Sequence, residues 1–212
     1  MPKAVYWDMD GTLIDSEPLH ERALAAALDS VGIEPPHDLH QRVLGQAALP
    51  VYEMLRDEFG LSIPFGDWIR RKYGHYMQHA HTLKPRPGAV EIFRDLQRKG
   101  VVQAVVSNSD RLVVDANLRA IGVQEPGIKS VSRNDVRQGK PDAEPFLRAA
   151  WLTGIDPAET FVMEDSFTGA SAGLAAGMKT IFWPQDLGDI EAPRGALLAR
   201  TSDDVRALLR LS

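Results

Sequence analysis

Two aspartates stand two residues apart in Asp8-Met9-Asp10, and Gly11-Thr12 follows at once. In an extended or tightly looped backbone such a pair converges on one side of the chain. Like charges that close need a cation or a shared proton to coexist, and hard Mg²⁺ with oxygen ligands is a natural solution. One carboxylate can then be a nucleophile while the other trades protons, because carboxylates form covalent phosphoryl intermediates and also act as general acids or bases. Gly11 permits a close backbone approach or an unusual dihedral. Taken alone, Asp-x-Asp-Gly is equally a solvated turn after a strand.

Three further segments are polar in a complementary way. Ser107 offers a hydroxyl and Asn108 an amide, both suited to phosphate oxygens, and a helix starting near Asp110 would point backbone N–H groups nearby. Lys140, after Gln138-Gly139 and before Pro141, can hold an ammonium close to a phosphate. Glu164-Asp165-Ser166 sets two acids directly after an apolar run, where they suit a divalent cation. Each has a plainer alternative by itself: Ser-Asn-Ser-Asp and Glu-Asp-Ser as helix caps, and Lys140 as a solvated lysine.

These residues need elements to carry them. Ala4 to Trp7 is a short apolar run that stops at Asp8, and similar runs at 101–106, 160–163 and 179–183 end at Ser107, Glu164 and Pro184. Helical segments are expected between them near 88–99, 110–121, 142–153 and 168–176. Strands alternating with helices predict βαβ units, hence an α/β fold with a Rossmann-like parallel sheet. Such sheets bind ligands at the carboxyl ends of their strands, where the polar residues fall.

Residues 16–81 break this rhythm with helical periodicity and no convincing strand. His20, Ala23, Leu24, Ala27, Leu28 and Val31 form an amphipathic face, 49–59 and 68–79 read as helices, and 60–66 as a loop. The expected organisation is a core of residues 1–15 and 83–212 interrupted by a small helical domain at 16–82. Lys84-Pro85-Arg86-Pro87-Gly88 supplies a stiff return to the core.

At 212 residues with 44% hydrophobic and 25% charged side chains, the chain has ordinary globular usage, so collagen-like and wholly disordered classes are excluded. The absence of Cys excludes disulfides, thiolate zinc sites and a cysteine nucleophile. A net charge of −5 argues against a broad grip on nucleic acid or an anionic membrane, though not against a small anion. No apolar run reaches the roughly 18 residues that span a bilayer, so a cytoplasmic location is expected.

In this order, the four segments resemble the haloacid dehalogenase superfamily of phosphotransferases, specifically its β-phosphoglucomutase and phosphoglycolate phosphatase-like members with a helical cap of the C1 type. The resemblance covers essentially the whole chain: Asp8-Met9-Asp10-Gly11-Thr12-Leu13-Ile14-Asp15-Ser16, Ser107-Asn108, Lys140-Pro141, and Glu164-Asp165-Ser166 with Gly169 and Gly173-Leu174-Ala175-Ala176-Gly177 behind it. It implies that Asp8 attacks phosphorus and becomes an aspartyl phosphate, while Asp10 protonates the leaving oxygen and then activates water. It implies that Ser107 and Asn108 bind phosphoryl oxygens, that Lys140 neutralises charge, and that Mg²⁺ is held by Asp8, the Asp10 carbonyl and Asp165, with Glu164 contributing directly or from behind. An acid at Asp10 disfavours displacement of halide from carbon, which leaves no alkoxide to protonate.

The insert corresponds to the cap, with His20, Gly45 and Gln46 as candidate substrate contacts. Trp68, Tyr73, Tyr76, His79 and His81 could shape a pocket or form core. The resemblance thus implies a Mg²⁺-dependent phosphatase of a small phosphomonoester, a sugar phosphate or related metabolite, acting as a monomer or weak homodimer. The alternatives are a β-phosphoglucomutase-like phosphotransferase and, in another class, a non-catalytic binding protein. Related mutases carry an Arg shortly after the cap-loop glycine, whereas Gly45 is followed by Gln46-Ala47-Ala48-Leu49, which favours hydrolysis.

Overall fold

Ala4–Trp7 (β1) is apolar at every position and each residue is fully buried, the pattern of a central parallel strand covered on both faces. The computed structural model describes residues 2–43, 46, 48–124, 127–186, 188 and 191–211. After β1 come β2 (Ile14–Asp15) and the helices α1 (Glu17–Asp29), α2 (Leu39–Val43), α3 (Ala48–Phe59) and α4 (Phe65–His79). The chain continues through β3 (Lys84–Pro85), α5 (Ala89–Arg98), β4 (Val102–Val106), α6 (Arg111–Ala120), β5 (Lys129–Val131), α7 (Glu144–Thr153), β6 (Thr160–Glu164), α8 (Phe167–Ala175), β7 (Lys179–Phe182), β8 (Leu197–Leu198) and α9 (Ser202–Leu209).

Among the described residues, six strands form one parallel sheet in the order β5-β4-β1-β6-β7-β8. This is the Rossmann-like α/β arrangement expected from the alternation of strands and helices. Successive side chains of a strand point to opposite faces. On one face Ala4 and Tyr6 join Ala104, Val106 and Val162 against Phe146 and Ala149 of α7 and Ala172 of α8. On the other, the Trp7 ring lies 6.0 Å from that of Phe93 in α5. Gln103, in the middle of this apolar layer, accepts from Trp7 Nε1 at 2.9 Å and donates to the Phe93 carbonyl at 3.0 Å, so its burial leaves no amide unpaired.

The chain divides into two compact units, Met1–Asp15 with Lys84–Ser212, and Ser16–Leu83. The two connections leave and return through β2 and β3, which pair antiparallel with Ile14 opposite Pro85 and Asp15 opposite Lys84. The helical unit has its own core of Leu24, Ala27, Leu28, Leu39, Val51, Leu55, Leu61 and Trp68. The α1 residues of that core sit at helical spacing, as the amphipathic pattern predicts.

Several elements depart from the sequence expectation. Helix α4 starts at Phe65 instead of residue 68, with Pro64 as its N-cap. Gly66 therefore lies in the first turn, where backbone donors have no intrahelical partner, and not in a loop. Edge strands β5 and β8, of three and two residues, and helix α2, of five, are too short to display a period. Helix α9 opens with a capping box between Thr201 and Asp204 that the sequence reading did not use. No helix among the described residues is long and apolar enough to cross a membrane.

Candidate active site

Because β4, β1 and β6 are parallel neighbours, the three polar tails that follow them emerge side by side at the carboxyl ends of the strands. Asp8 follows β1, Ser107 follows β4, and Glu164 closes β6 with Asp165 next. The chain after β1 then folds on itself: the Met9 carbonyl accepts from the amides of Thr12, Leu13 and Ile14, and Gly11 N–H donates to the Ile14 carbonyl at 2.8 Å. Gly11 has φ 81°, and a Cβ there would lie 2.1 Å from Asp165 Oδ2. No other residue type permits that contact.

Lys140 arrives from the loop before α7 and is fixed by its main chain. Its N–H donates to Asn108 Oδ1 at 2.9 Å, and its carbonyl accepts from Asn108 Nδ2 at 3.1 Å. Glu144, in the first turn of α7, accepts from the Arg137 and Gln138 amides and ties the same loop to the helix. The buried ammonium spends its three protons on Asp8 Oδ1 at 2.5 Å, Glu164 Oε1 at 2.5 Å and the Val106 carbonyl at 2.7 Å. Burial alone would lower its pKa, but the Asp8 and Glu164 carboxylates outweigh that and hold it above the ordinary lysine value.

Asp8, Glu164 and Asp165 each bring a carboxylate oxygen within 4.8 Å of the others. One ammonium does not balance three carboxylates. Burial, reinforced by Glu164, holds Asp8 well above the carboxylate range despite Lys140. The same causes push Asp165 up to about 7, against the hydrogen bond it accepts from Thr12 Oγ1 at 3.1 Å. An all-oxygen donor set short of positive charge fits a hard divalent cation. Glu164 itself has little freedom: Oε1 accepts from Lys140, Oε2 from Ser166 Oγ at 3.2 Å, and a Cβ on Gly169 would sit 1.9 Å from Oε1. Ser166 also caps α8 by accepting from Gly169 N–H.

The Asp10 side chain lies against the segment that follows β4 and against the buried face of α6. Its Oδ2 accepts from Ser109 Oγ at 2.7 Å and from Ser107 Oγ at 3.3 Å, and its Oδ1 accepts from Asn117 Nδ2 at 3.2 Å. The structure thus gathers Asp8, Asp10, Ser107, Asn108, Lys140 and Asp165 within one unit. His20 belongs to α1 in the helical unit, with its ring 4.5 Å from that of Tyr76. Gln46, also in that unit, is exposed and donates to the Arg42 carbonyl at 2.8 Å. Gly45 lies outside the described residues. Trp68 and Tyr76 are fully buried, which gives them core duty.

Four participants escaped the sequence reading. Thr12 is fully buried against Asp165, and Ser109 and Asn117 hold Asp10. The fourth is Arg86, whose buried guanidinium donates to the carbonyls of Gly11 at 2.9 Å, Trp183 at 2.6 Å and Pro184 at 2.8 Å. It lies 3.8 Å above the Trp183 ring.

Comparison with known proteins gives the family and the fold. A family model for haloacid dehalogenase-like hydrolases matches residues 2–177. N-acetylmuramic acid 6-phosphate phosphatase of Pseudomonas aeruginosa is 31% identical over 182 residues, covering 84% of this chain and 80% of that protein. The phosphorylated carbohydrates phosphatase of Thermotoga maritima is 26% identical over 181 residues, covering 85% and 84%. The crystal structure of CbbY from Rhodobacter sphaeroides in complex with phosphate shares the fold with a TM-score of 0.86 over 95% of each chain, at 23% identity.

Proposed function

Since the chain belongs to the haloacid dehalogenase-like hydrolase family, we propose that it is a Mg²⁺-dependent phosphatase of phosphorylated sugars that works through an aspartyl phosphate on Asp8. The observation that carries this reading is the Lys140 ammonium shared between Asp8 and Glu164 inside a cluster of three carboxylates. A carboxylate held against a fixed cation keeps one orientation. Phosphoryl transfer asks for that kind of positioning and charge balance before anything else.

In this reading Asp8, Asp165 and the Asp10 carbonyl hold the metal, which supplies charge neutralisation for the phosphoryl group and its oxygens. Asp8 attacks phosphorus through a carboxylate oxygen. Asp10 gives a proton to the departing oxygen and takes one from the water that follows. Ser107 and the backbone N–H of Asn108 receive phosphoryl oxygens, while the Asn108 side chain serves by fixing Lys140. Glu164 acts through Lys140. In this reading the helical unit serves as the family's cap, with His20, Gly45 and Gln46 as candidate substrate contacts. The choice of sugar phosphates rests on the substrates named for the two phosphatase relatives.

The test is phosphate release from a panel of sugar phosphates, phosphoglycolate and nucleoside monophosphates, with Mg²⁺ and with chelator, for the wild type and Asp8→Asn. Metal-dependent release that disappears in Asp8→Asn is the expected result. Release at the wild-type rate by Asp8→Asn would overturn the covalent route. Isomerisation of β-glucose 1-phosphate without release of phosphate would replace the hydrolase by a mutase.

A further inference from the structure

Helix α6 presents Val113, Val114, Asn117 and Leu118 to the interior, and Asn117 is the polar member of that buried face, with no exposed surface. A buried amide is costly unless it is hydrogen-bonded. Here Nδ2 reaches across 107 residues of sequence to Asp10 Oδ1, while Ser109 Oγ and Ser107 Oγ take Oδ2. Donors on both oxygens fix the carboxylate in rotation as well as in position.

The donors also differ chemically. A serine hydroxyl can turn from donating to accepting, whereas an amide NH₂ only donates. Asn117 therefore keeps a donor on Oδ1, while the two hydroxyls at Oδ2 can donate to that oxygen or accept from it.

We propose that Asn117 and Ser109 are positioning residues for proton transfer by Asp10, holding its carboxyl group in one rotation and position. The proposal rests on the phosphatase reading above. In the first half-reaction an Asp8 oxygen bonds to phosphorus, the ester P–O bond breaks, and the departing alkoxide takes the proton from the Asp10 carboxyl group. In the second, water bonds to the phosphorus, its proton passes to Asp10, and the Asp8–phosphorus bond breaks to free phosphate.

Leaving groups that differ in basicity isolate this role. An alkyl phosphate needs the proton to leave, whereas p-nitrophenyl phosphate departs as a stable phenolate. The measurement is kcat/KM for an alkyl sugar phosphate and for p-nitrophenyl phosphate, with saturating Mg²⁺, in the wild type, Asn117→Ala, Ser109→Ala and Ser109→Thr. The expected result is that kcat/KM for the alkyl ester falls about tenfold further than for the aryl ester in both alanine variants. Ser109→Thr, which keeps the hydroxyl, should return most of the lost ratio. Equal losses on both esters in a folded Ser109→Ala would overturn the proposal even if Asn117→Ala failed to fold. Absence of wild-type turnover on either ester would instead remove the phosphatase reading, and this proposal with it.

Discussion

The Arg86 guanidinium donates to the Gly11 carbonyl at 2.9 Å, binding the start of the chain's return into the core to the turn that carries Asp8 and Asp10. Its two other bonds, to Trp183 and Pro184, fasten the same turn to the segment after β7. Burial lowers its pKa to about 10, which still leaves it charged at neutral pH. The carbonyls and the Trp183 face take the place of a directly bonded carboxylate.

Arg86→Met should therefore destabilise the protein by about 3 kcal/mol, since it retains the aliphatic stem but leaves buried carbonyls without their donor. Gly11 keeps a second donor in Gln185 Nε2 at 3.1 Å, so the loss falls chiefly on Trp183 and Pro184. Urea titration of both proteins measures it. An unchanged midpoint would mean that water replaces the guanidinium without cost.

Lys140→Met tests the charge balance of the site. Removing the ammonium leaves Asp8 and Glu164 buried beside Asp165 with no cation between them. In chelator at pH 8 the expected loss is about 3–5 kcal/mol, the range for breaking a buried pair from one side. At pH 5 the loss should shrink, because the Asp165 carboxyl, pushed up to about 7, is then protonated and one charge fewer is left uncompensated. Equal losses at both pH values would show that packing of the lysine side chain, whose Nζ lies 5.1 Å from the Phe146 ring centroid, matters more than its charge.

How much of this was legible in the sequence depended on where each residue stood. Asp8, Ser107 and Glu164-Asp165 follow apolar runs directly, so a polar residue at a strand end announced itself. Lys140 was legible through its motif and not through its element. Asn117 sat inside a helical pattern, where an Asn reads as surface, although its spacing of four from Val113 put it on the buried face. Arg86 lay between two prolines and read as a linker. Its partners are main-chain carbonyls, which leave no mark in a sequence. The edge strands β5 and β8 were invisible for a different reason: three and two residues cannot establish alternation.

Asp10→Asn separates the two halves of the reaction. The variant keeps an acceptor oxygen for Ser109 and Ser107 but can neither give a proton to the leaving group nor take one from water. With an activated donor such as acetyl phosphate, Asp8 should still be phosphorylated, and the phosphoenzyme should persist about a hundredfold longer than in the wild type. Intact-protein mass spectrometry after rapid mixing reads the adduct directly. Dephosphorylation at the wild-type rate would rule out Asp10 as the base.

Stability in the absence of metal should fall as pH rises, the reverse of ordinary acid denaturation. Asp165 has a folded-state pKa of about 7 against a reference value of 3.8, and Asp8 is raised as well. Between those values the folded protein holds a proton that the unfolded chain has released, so the stabilisation is complete below 3.8 and is lost as pH climbs through about 7. Each such group contributes at most about 1.4 kcal/mol per pH unit across that window. The lowered carboxylates, Asp57, Asp95, Asp135, Asp204 and Glu144, have the opposite sign but act below their ordinary values, outside it. His75, lowered chiefly by burial, opposes the trend only near its own ordinary value of 6.5. Chemical denaturation in chelator from pH 4.5 to 7.5 should therefore show a falling free energy, and Asp165→Asn should flatten it. Mg²⁺ should reverse the decline at the upper end, because a cation favours the ionised carboxylates and adds about 2.7 kcal/mol at a hundred times its dissociation constant. A wild-type profile that rises with pH in chelator would show that Lys140 alone satisfies the carboxylates and that the cluster has no standing need of a metal.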